Sequence, residues 1–393
     1  MTMRRPQGGP LRIAVVVPKY GLVGGAENFV FELTERLAMN PRFEIHVFAN
    51  RWRTGEAPID FHKVPIVAFP RWARPVSFAW LADRAIRRVG CDLVHSHDRL
   101  YRMDVLTFHG VPHAAWIRAT KRPWLSLFDR AVADVERRGL MRIPHPVVLT
   151  VSGLVKQQLL SVYPLPEERV RIMHPGVDTT RFDAISRTTA RSDVRRRHGW
   201  PDDAVVALFV SMNFELKRLD LVLEALARLA QGPGAGDLRL LVAGKGDAGR
   251  FAAMARQLGV ADRVVFAGVR RDLPEYYRAA DMCLLPSRFD TFGLVVLEAM
   301  AAGIPVVITD RVGARDLVAD GVNGFVLPVD PPPEALASAM AALMNEETRR
   351  AMGAANRQVA GRLGWEALAG DIAALYDTLA GPVRGARATA SRR

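Results

Sequence analysis

The stretch PSRFDTFGLVVLEAMAAG, Pro286 to Gly303, reads as the end of a strand, a short loop and a helix. Pro286 closes the apolar run MCLLP, Asp290 stands in the loop, Gly293 opens the helix and Glu298 lies within its first turns. The exposed amides at such a helix start belong to the segment Thr291, Phe292, Gly293, Leu294 and Val295. With the helix dipole they make a site for a diphosphate. Gly293 lets the backbone approach a ligand closely. A carboxylate at Asp290 can bind sugar hydroxyls, and one at Glu298 can accept from both hydroxyls of a ribose. An ordinary strand, turn and helix with an acid near its start would carry the same residues, so the stretch is read with its surroundings.

Outward from it, strands alternate with helices. RVVFAG and LRLLVAG precede it as strands, AVVALFVS before them, and PVVITD follows. Helices are expected over Asp220 to Leu229 and Arg250 to Leu258. The first half repeats the pattern. RIAVVVP is a strand, Gly21 to Gly25 a glycine-rich loop, and Ala26 to Met39 a helix with Phe29, Leu33 and Leu37 at helical spacing. EIHVFA, DLVHSH, MDVLTFHG and VVLTVS are further strands. Such alternation implies α/β architecture, with parallel sheets covered on both faces. Two Rossmann-like, doubly wound domains are expected, facing a central cleft, with ligands at the carboxyl ends of the strands. The join lies near HPGVDTTRF, Pro175 to Phe182, before the Arg-rich RTTARSDVRRRHG.

The 393 residues suit two domains, and 24% charged residues suit a soluble globular chain. No apolar run approaches the roughly 18 residues of a membrane span. IAVVV is too short for a signal-peptide core, so a cytoplasmic location is expected. Cys91 and Cys283 lie far apart among apolar residues without metal-ligand spacing and read as packed free thiols. The net charge is +13, and residues 1–183 hold 27 Lys/Arg against 17 Asp/Glu. That excess favours an anionic partner. The last ten residues, RGARATASRR, read as part of a basic disordered tail.

FDTFGLVVLEAMAAGIPVV, with Asp290 and Glu298 in a D-x7-E arrangement, resembles the E-x7-E motif of retaining GT-B glycosyltransferases of family 4. GLVGGAEN resembles that family's N-terminal glycine loop, HPGVDTTRF its interdomain segment, RVVFAGVRRDLPEYYRAADMCLLPS the run before the acidic motif, and GVNGFVLPVD the segment after it. MNFELKRLD and DRAVADVERRG fall in the order found in lipopolysaccharide-core glucosyltransferases. The resemblance implies an acceptor-binding domain over 1–180 and a nucleotide-sugar-binding domain over 181–365. A helix over 366–381 would cross back to the first domain, and 382–393 would form the tail. It also implies retention of configuration and no metal for catalysis.

By the same resemblance, Lys217 binds the donor diphosphate and neutralises charge on the leaving group. His109, in LTFHG, contacts the donor sugar near the reacting carbon, and Asp290 completes the catalytic set. Gly24, Gly25, Arg218, Val269 and Glu298 join the 291–295 segment as donor-binding residues. Two departures stand out. Leu216 occupies the position where the family commonly has arginine, so that either Arg218 substitutes or a single cation acts, and Asp290 is one methylene shorter than glutamate. The expected reaction moves a hexose from a nucleotide-sugar, UDP-glucose first and GDP-mannose second, to a glycan or lipid-linked acceptor in envelope polysaccharide synthesis. A sugar-nucleotide epimerase and a basic nucleic-acid-binding protein are the rival readings; the second explains the charge but not residues 286–303.

Other motifs carry less. Gly244, Gly246 and Gly249 match G-x-G-x-x-G, but no acid ends the next strand, which argues against a dinucleotide cofactor. His95 and His97 share one strand face without a third metal ligand and read as structural. Glu27 reads as a helix-start acid. Trp52, Trp72, Trp80, Trp116 and Trp124 lie in the first domain, several beside arginine. That composition suits an anionic membrane interface, with Trp116, Trp124, Phe128, Arg118, Lys121 and Arg122 as the candidate contact and a peripheral place on the inner face of the plasma membrane; it equally suits single-stranded nucleic acid, or core tryptophans beside a solvated basic face. Nucleic acid is not an expected partner.

Overall fold

The computed structural model describes residues 9–22, 24–120, 124–232 and 236–389, the last eight without their side chains. The chain divides into two compact units, Met1–Gly176 with Trp365–Arg393, and Val177–Gly364.

In unit 1 the strands are β1 (Leu11–Val16), β2 (Lys19–Tyr20), β3 (Phe43–Ala49), β4 (Arg51–Trp52), β5 (Ile59–Lys63), β6 (Leu93–Ser96), β7 (Val105–Phe108), β8 (Val147–Thr150) and β9 (Val170–Ile172). Seven form a parallel sheet in the order β5-β3-β1-β6-β7-β8-β9, and β2 pairs with β4. β1, β7 and β8 are apolar and buried almost throughout, as a sheet covered on both faces requires. One face packs on the helix Gly25–Ala38 through Phe29, Leu33 and Leu37. The helix Trp365–Thr389 completes that core with Trp365, Leu368, Ile372 and Tyr376. A side chain at Gly176 would collide with the Trp365 ring, 2.6 Å from its Cβ position, so glycine is needed where the chain leaves unit 1.

Unit 2 holds β10 (Val205–Ser211), β11 (Leu238–Gly244), β12 (Val264–Gly268), β13 (Met282–Leu285), β14 (Val306–Thr309) and β15 (Gly324–Leu327). They form a parallel sheet ordered β12-β11-β10-β13-β14-β15. The helix Leu219–Gln231 buries Leu219, Leu221, Val222, Leu223 and Leu226 against it. The Arg-rich segment forms the helix Arg187–Arg197, which sets Arg187, Arg191 and Arg195 at one-turn intervals. All three reach Asp281, which also accepts from the amide of Val206 at 2.9 Å. The three arginines thus clamp a buried carboxylate at a strand start.

The fold differs from expectation in several places. β5 and β9 are short strands at the two edges of the unit 1 sheet, and the sequence pattern passes over both. IDFHK is half-exposed and mixes charged with apolar residues, so its alternation is masked. The helix Ala73–Val89, which the sequence reading passes over, carries Pro75 in its first turn, where proline is tolerated. The last helix runs to Thr389 rather than 381, continuing past Pro382 and Gly385. The expected tail therefore begins inside that helix, and residues 390–393 lie outside the described residues. Cys283 is buried and Cys91 half-buried, and neither forms a disulfide, as expected.

Candidate functional site

Each sheet reverses its strand order at one point: between β1 and β6 in unit 1, and between β10 and β13 in unit 2. The loops leaving adjacent strand ends diverge there and open a crevice for a ligand. The sequence-derived residues collect at these two places.

In unit 2 the loop after β10 carries Lys217, and the loop after β13 carries Asp290. Lys217 Nζ donates to Asp290 Oδ2 at 2.6 Å and to the Phe289 carbonyl at 3.1 Å. Asp290 is pinned in turn, its Oδ1 accepting from the Phe292 amide at 3.2 Å and its own amide donating to Arg311 O at 2.9 Å. Gly293 has φ +88°, and a Cβ there would come within 2.9 Å of Val312, so glycine is required on both counts. The helix Leu294–Ala302 follows, with the amides of Leu294 and Val295 in its first turn.

Glu298 lies one turn along this helix, half-buried, and its Oε2 accepts from Tyr277 Oη at 2.7 Å. Burial raises its pKa, while the Tyr277 bond and the charge of Arg181 oppose that rise. Desolvation and the Glu298 charge push the Tyr277 phenol far above its usual range, so it stays a donor. Burial lifts the neighbouring Cys283 thiol to about 12, which keeps it neutral. The glycine run after β11 lies against the Lys217 loop: Lys245 N donates to Ser211 O at 2.9 Å, and Gly246 packs on the Phe214 ring.

Two residues behave differently from the sequence reading. Arg218 has a left-handed backbone, φ +63°, and its guanidinium is held by Asp220 and Asp330. These bonds commit its side chain to a pair of carboxylates, so the structure gives no support to its standing in for an arginine at Leu216. Val269 is exposed on the loop after β12, two strands from β10.

In unit 1 a cavity of about 300 Å³ opens at the switch point, lined among others by Lys19, Glu27, His97, Arg99 and His109. The His109 Nε2 lies 3.0 Å from His97 Nδ1 with the rings stacked, and Phe29 meets His109 edge-on at 4.8 Å. Behind them His95 contacts Tyr376 Oη at 2.6 Å and Thr107 Oγ1 at 2.7 Å. His95 and His97 are thus parts of the wall that carries His109. Burial depresses all three imidazoles, His109 to about 4 and His95 to about 3. They are neutral near pH 7 and suited to hydrogen bonding, not to holding a charge. Gly25 begins the helix beside this pocket, and a side chain at Gly24 would collide with the Glu27 carboxylate.

Sequence reading missed the partners that lock these groups. Arg99 is held by Glu136, 2.7 Å from Nε to Oε2, and Glu136 also accepts from the His113 amide at 3.0 Å and Tyr163 Oη at 2.8 Å. Glu136 sits in the DRAVADVERRG motif, so a signal existed, but nothing local shows that this acid is buried. Tyr277 carried a comparable signal in the tyrosine pair of LPEYYRAA.

Among the tryptophans, Trp124 is 83% exposed, while Trp52 stacks on Phe61 and Trp116 on His113. Lys121 and Arg122 lie outside the described residues. Among those described, no helix is long and apolar enough to cross a membrane.

Residues 190–359 match the family model for glycosyl transferases group 1, and residues 23–181 that for glycosyltransferase family 4. A D-inositol 3-phosphate glycosyltransferase from Xylanimonas cellulosilytica is 37% identical, over 91% of this chain and 93% of that protein. A protein of the same name from Geodermatophilus obscurus is 38% identical, over 96% and 92%. In structure the chain is similar to WaaG, a glycosyltransferase involved in lipopolysaccharide biosynthesis. The TM-score is 0.76, with 24% identity over 93% of this chain and 99% of that one.

Proposed function

The chain belongs to the group 1, family 4 glycosyltransferases, which have the two-unit GT-B fold, and we propose that it moves a hexose from a nucleotide-sugar to an acceptor bearing a phosphate. The observation that carries the donor half is Lys217 facing Asp290 at a topological switch point, one loop from a helix start. A diphosphate would take the Lys217 ammonium and the amides of Gly293, Leu294 and Val295 in the 291–295 segment, and Glu298 would accept from the ribose. UDP-glucose is the first donor proposed and GDP-mannose the second. Gly24, Gly25, Arg218 and Val269 are retained as donor-side positions on the resemblance alone.

His109 is proposed to hydrogen-bond the transferred sugar as a neutral imidazole. Transfer is read as retaining and as needing no metal for the chemical step. The leaving phosphate then accepts the acceptor proton on the same sugar face, and the enzyme contributes orientation and charge stabilisation.

For the acceptor, one fact supports an anionic group: the relatives are named for D-inositol 3-phosphate, while the unit 1 cavity mixes Lys19 and Arg99 with Glu27 and Asp98. A phosphorylated cyclitol and a lipid-linked envelope glycan both carry that group. We also propose that unit 1 meets an anionic membrane surface, on the strength of its basic charge and the exposed Trp72, Trp80 and Trp124. The deciding experiment has two stages. Nucleotide-sugars are screened for thermal stabilisation, and the best donor is then offered D-inositol 3-phosphate, unphosphorylated inositol and a lipid-linked glycan. Equal transfer to phosphorylated and unphosphorylated inositol would overturn the anionic-acceptor reading; no stabilisation by any nucleotide-sugar would overturn the donor site.

A further inference from the structure

At the edge of the unit 1 sheet, on β3 and β5, three and four strands from β7, which His109 follows, a polar cluster stands on one sheet face. Alternation on β3 places Glu44 and His46 on that face, and alternation on β5 does the same for Asp60 and His62. The register pairs His46 with Asp60 and Phe48 with His62. His46 Nδ1 lies 3.1 Å from His62 Nε2 and 3.6 Å from Asp60 Oδ2. The ligand atoms of Glu44, His46 and Asp60 all lie within 4.8 Å of one another.

The neighbours of His46 allow either tautomer. Arg12 Nε donates to Glu44 Oε1 at 3.0 Å and lies 3.1 Å from His46 Nε2, which is itself 3.0 Å from the same carboxylate oxygen. In the tautomer whose Nε2 proton is accepted by Glu44, the lone pair of Nδ1 faces His62 and Asp60. A carboxylate that fixes one imidazole nitrogen and frees the other is the arrangement found behind metal-ligating histidines. His46 is almost wholly buried and His62 stacks on Phe48 at 4.6 Å, so neither ring must be ordered to bind. Ligand nitrogens on tetrahedral zinc, with bonds of about 2.0–2.1 Å, sit about 3.3 Å apart, close to the spacing here.

We propose that His46 Nδ1, His62 Nε2 and Asp60 Oδ2 form a site for a divalent transition metal of the zinc class, with Glu44 as the group that orients His46. Water fills the remaining position, since Asp60 is two-thirds exposed at the edge strand. Arg12 offsets part of the carboxylate charge, and its Nη1 is taken by the carbonyl of Val89 at 2.7 Å. The ion clips β5 to β3 and steadies the sheet edge. The site is separate from donor and acceptor chemistry.

The test is equilibrium dialysis of the full chain against Zn²⁺ with metal analysis, beside thermal melts with Zn²⁺ and with chelator. The wild type is expected to hold one Zn²⁺ per chain and to melt higher with it. His62→Ala and Asp60→Asn should each bind at least about tenfold more weakly and lose the Zn²⁺-dependent rise, and Glu44→Gln should weaken binding about 10- to 100-fold. His62 and Asp60 stand at a partly exposed edge, and equal melting of these variants and wild type in chelator shows the fold intact. Should His62→Ala fail that control, Asp60→Asn decides. Absence of stoichiometric binding by the wild type, or equal binding by wild type and Asp60→Asn, overturns the site.

Discussion

The ammonium of Lys217 sits 2.6 Å from the carboxylate of Asp290, across two loops that leave neighbouring strands of the unit 2 sheet. The pair pre-positions a cation beside a helix start, and it also gives that cation a competitor for phosphate. Lys217→Ala should lower kcat/KM about 10²–10³-fold, the range seen when one charge-stabilising donor is removed. Asp290→Asn should instead bind free nucleoside diphosphate more tightly while turning over more slowly. Steady-state kinetics and calorimetry on the two variants separate these outcomes, and unchanged turnover in both removes the assignment.

Glu298 should impose an acid limit on donor binding. Burial raises its pKa, so it takes a proton at a pH above the ordinary glutamate range. A protonated carboxyl accepts poorly from ribose hydroxyls, so the nucleotide Kd should rise as pH falls through that raised value. Glu298→Gln should bind about tenfold more weakly near pH 7 and lose the pH dependence. Titrations of nucleotide at several pH values check both points.

The histidine wall of unit 1 should make stability fall in mild acid. His95 and His109 have folded pKa values depressed from 6.5 to about 3 and about 4. Below about pH 6.5 the unfolded chain binds protons that the folded chain refuses, so stability drops until the folded values are reached. For His95, fully buried, the loss between pH 7 and pH 5 is about 2 kcal/mol. His95→Asn should flatten the change in urea midpoint over that interval.

Asp281 should matter to folding more than to chemistry. It is buried and binds Arg187, Arg191 and Arg195, the last fully buried. Asp281→Ala strands those guanidinium charges and should cost about 3–5 kcal/mol. Denaturant unfolding measures this; a loss below about 1 kcal/mol would show that the cluster is solvated.

The proposed membrane contact of unit 1 predicts co-flotation with anionic vesicles and not with neutral ones. Trp124→Ala should weaken it, since Trp124 is 83% exposed. Failure to float with either vesicle removes the idea.

Much of this molecule was legible in one dimension. Alternating apolar runs and helical spacings mark most strands of both sheets, because burial on two faces leaves a local trace. The helix start at Gly293 was legible for the same reason: a positive φ demands glycine there. Edge strands such as β5 were not, because half-exposed positions accept polar residues and blur the period.

By itself, the sequence determined the α/β class, the two-unit plan, and the candidate roles of Asp290, Glu298, Lys217 and His109. Only the tertiary structure decided what those residues face. Lys217 meets Asp290 across 73 positions, Glu298 meets Tyr277 across 21 and Arg99 meets Glu136 across 37. Such pairs depend on which strands become neighbours, and that is set by long-range packing, which leaves no spacing to read. The same reason reassigns Pro286 to Gly303: its acids were visible in sequence, but the bonds that hold their side chains in place exist only once β13 lies beside β10.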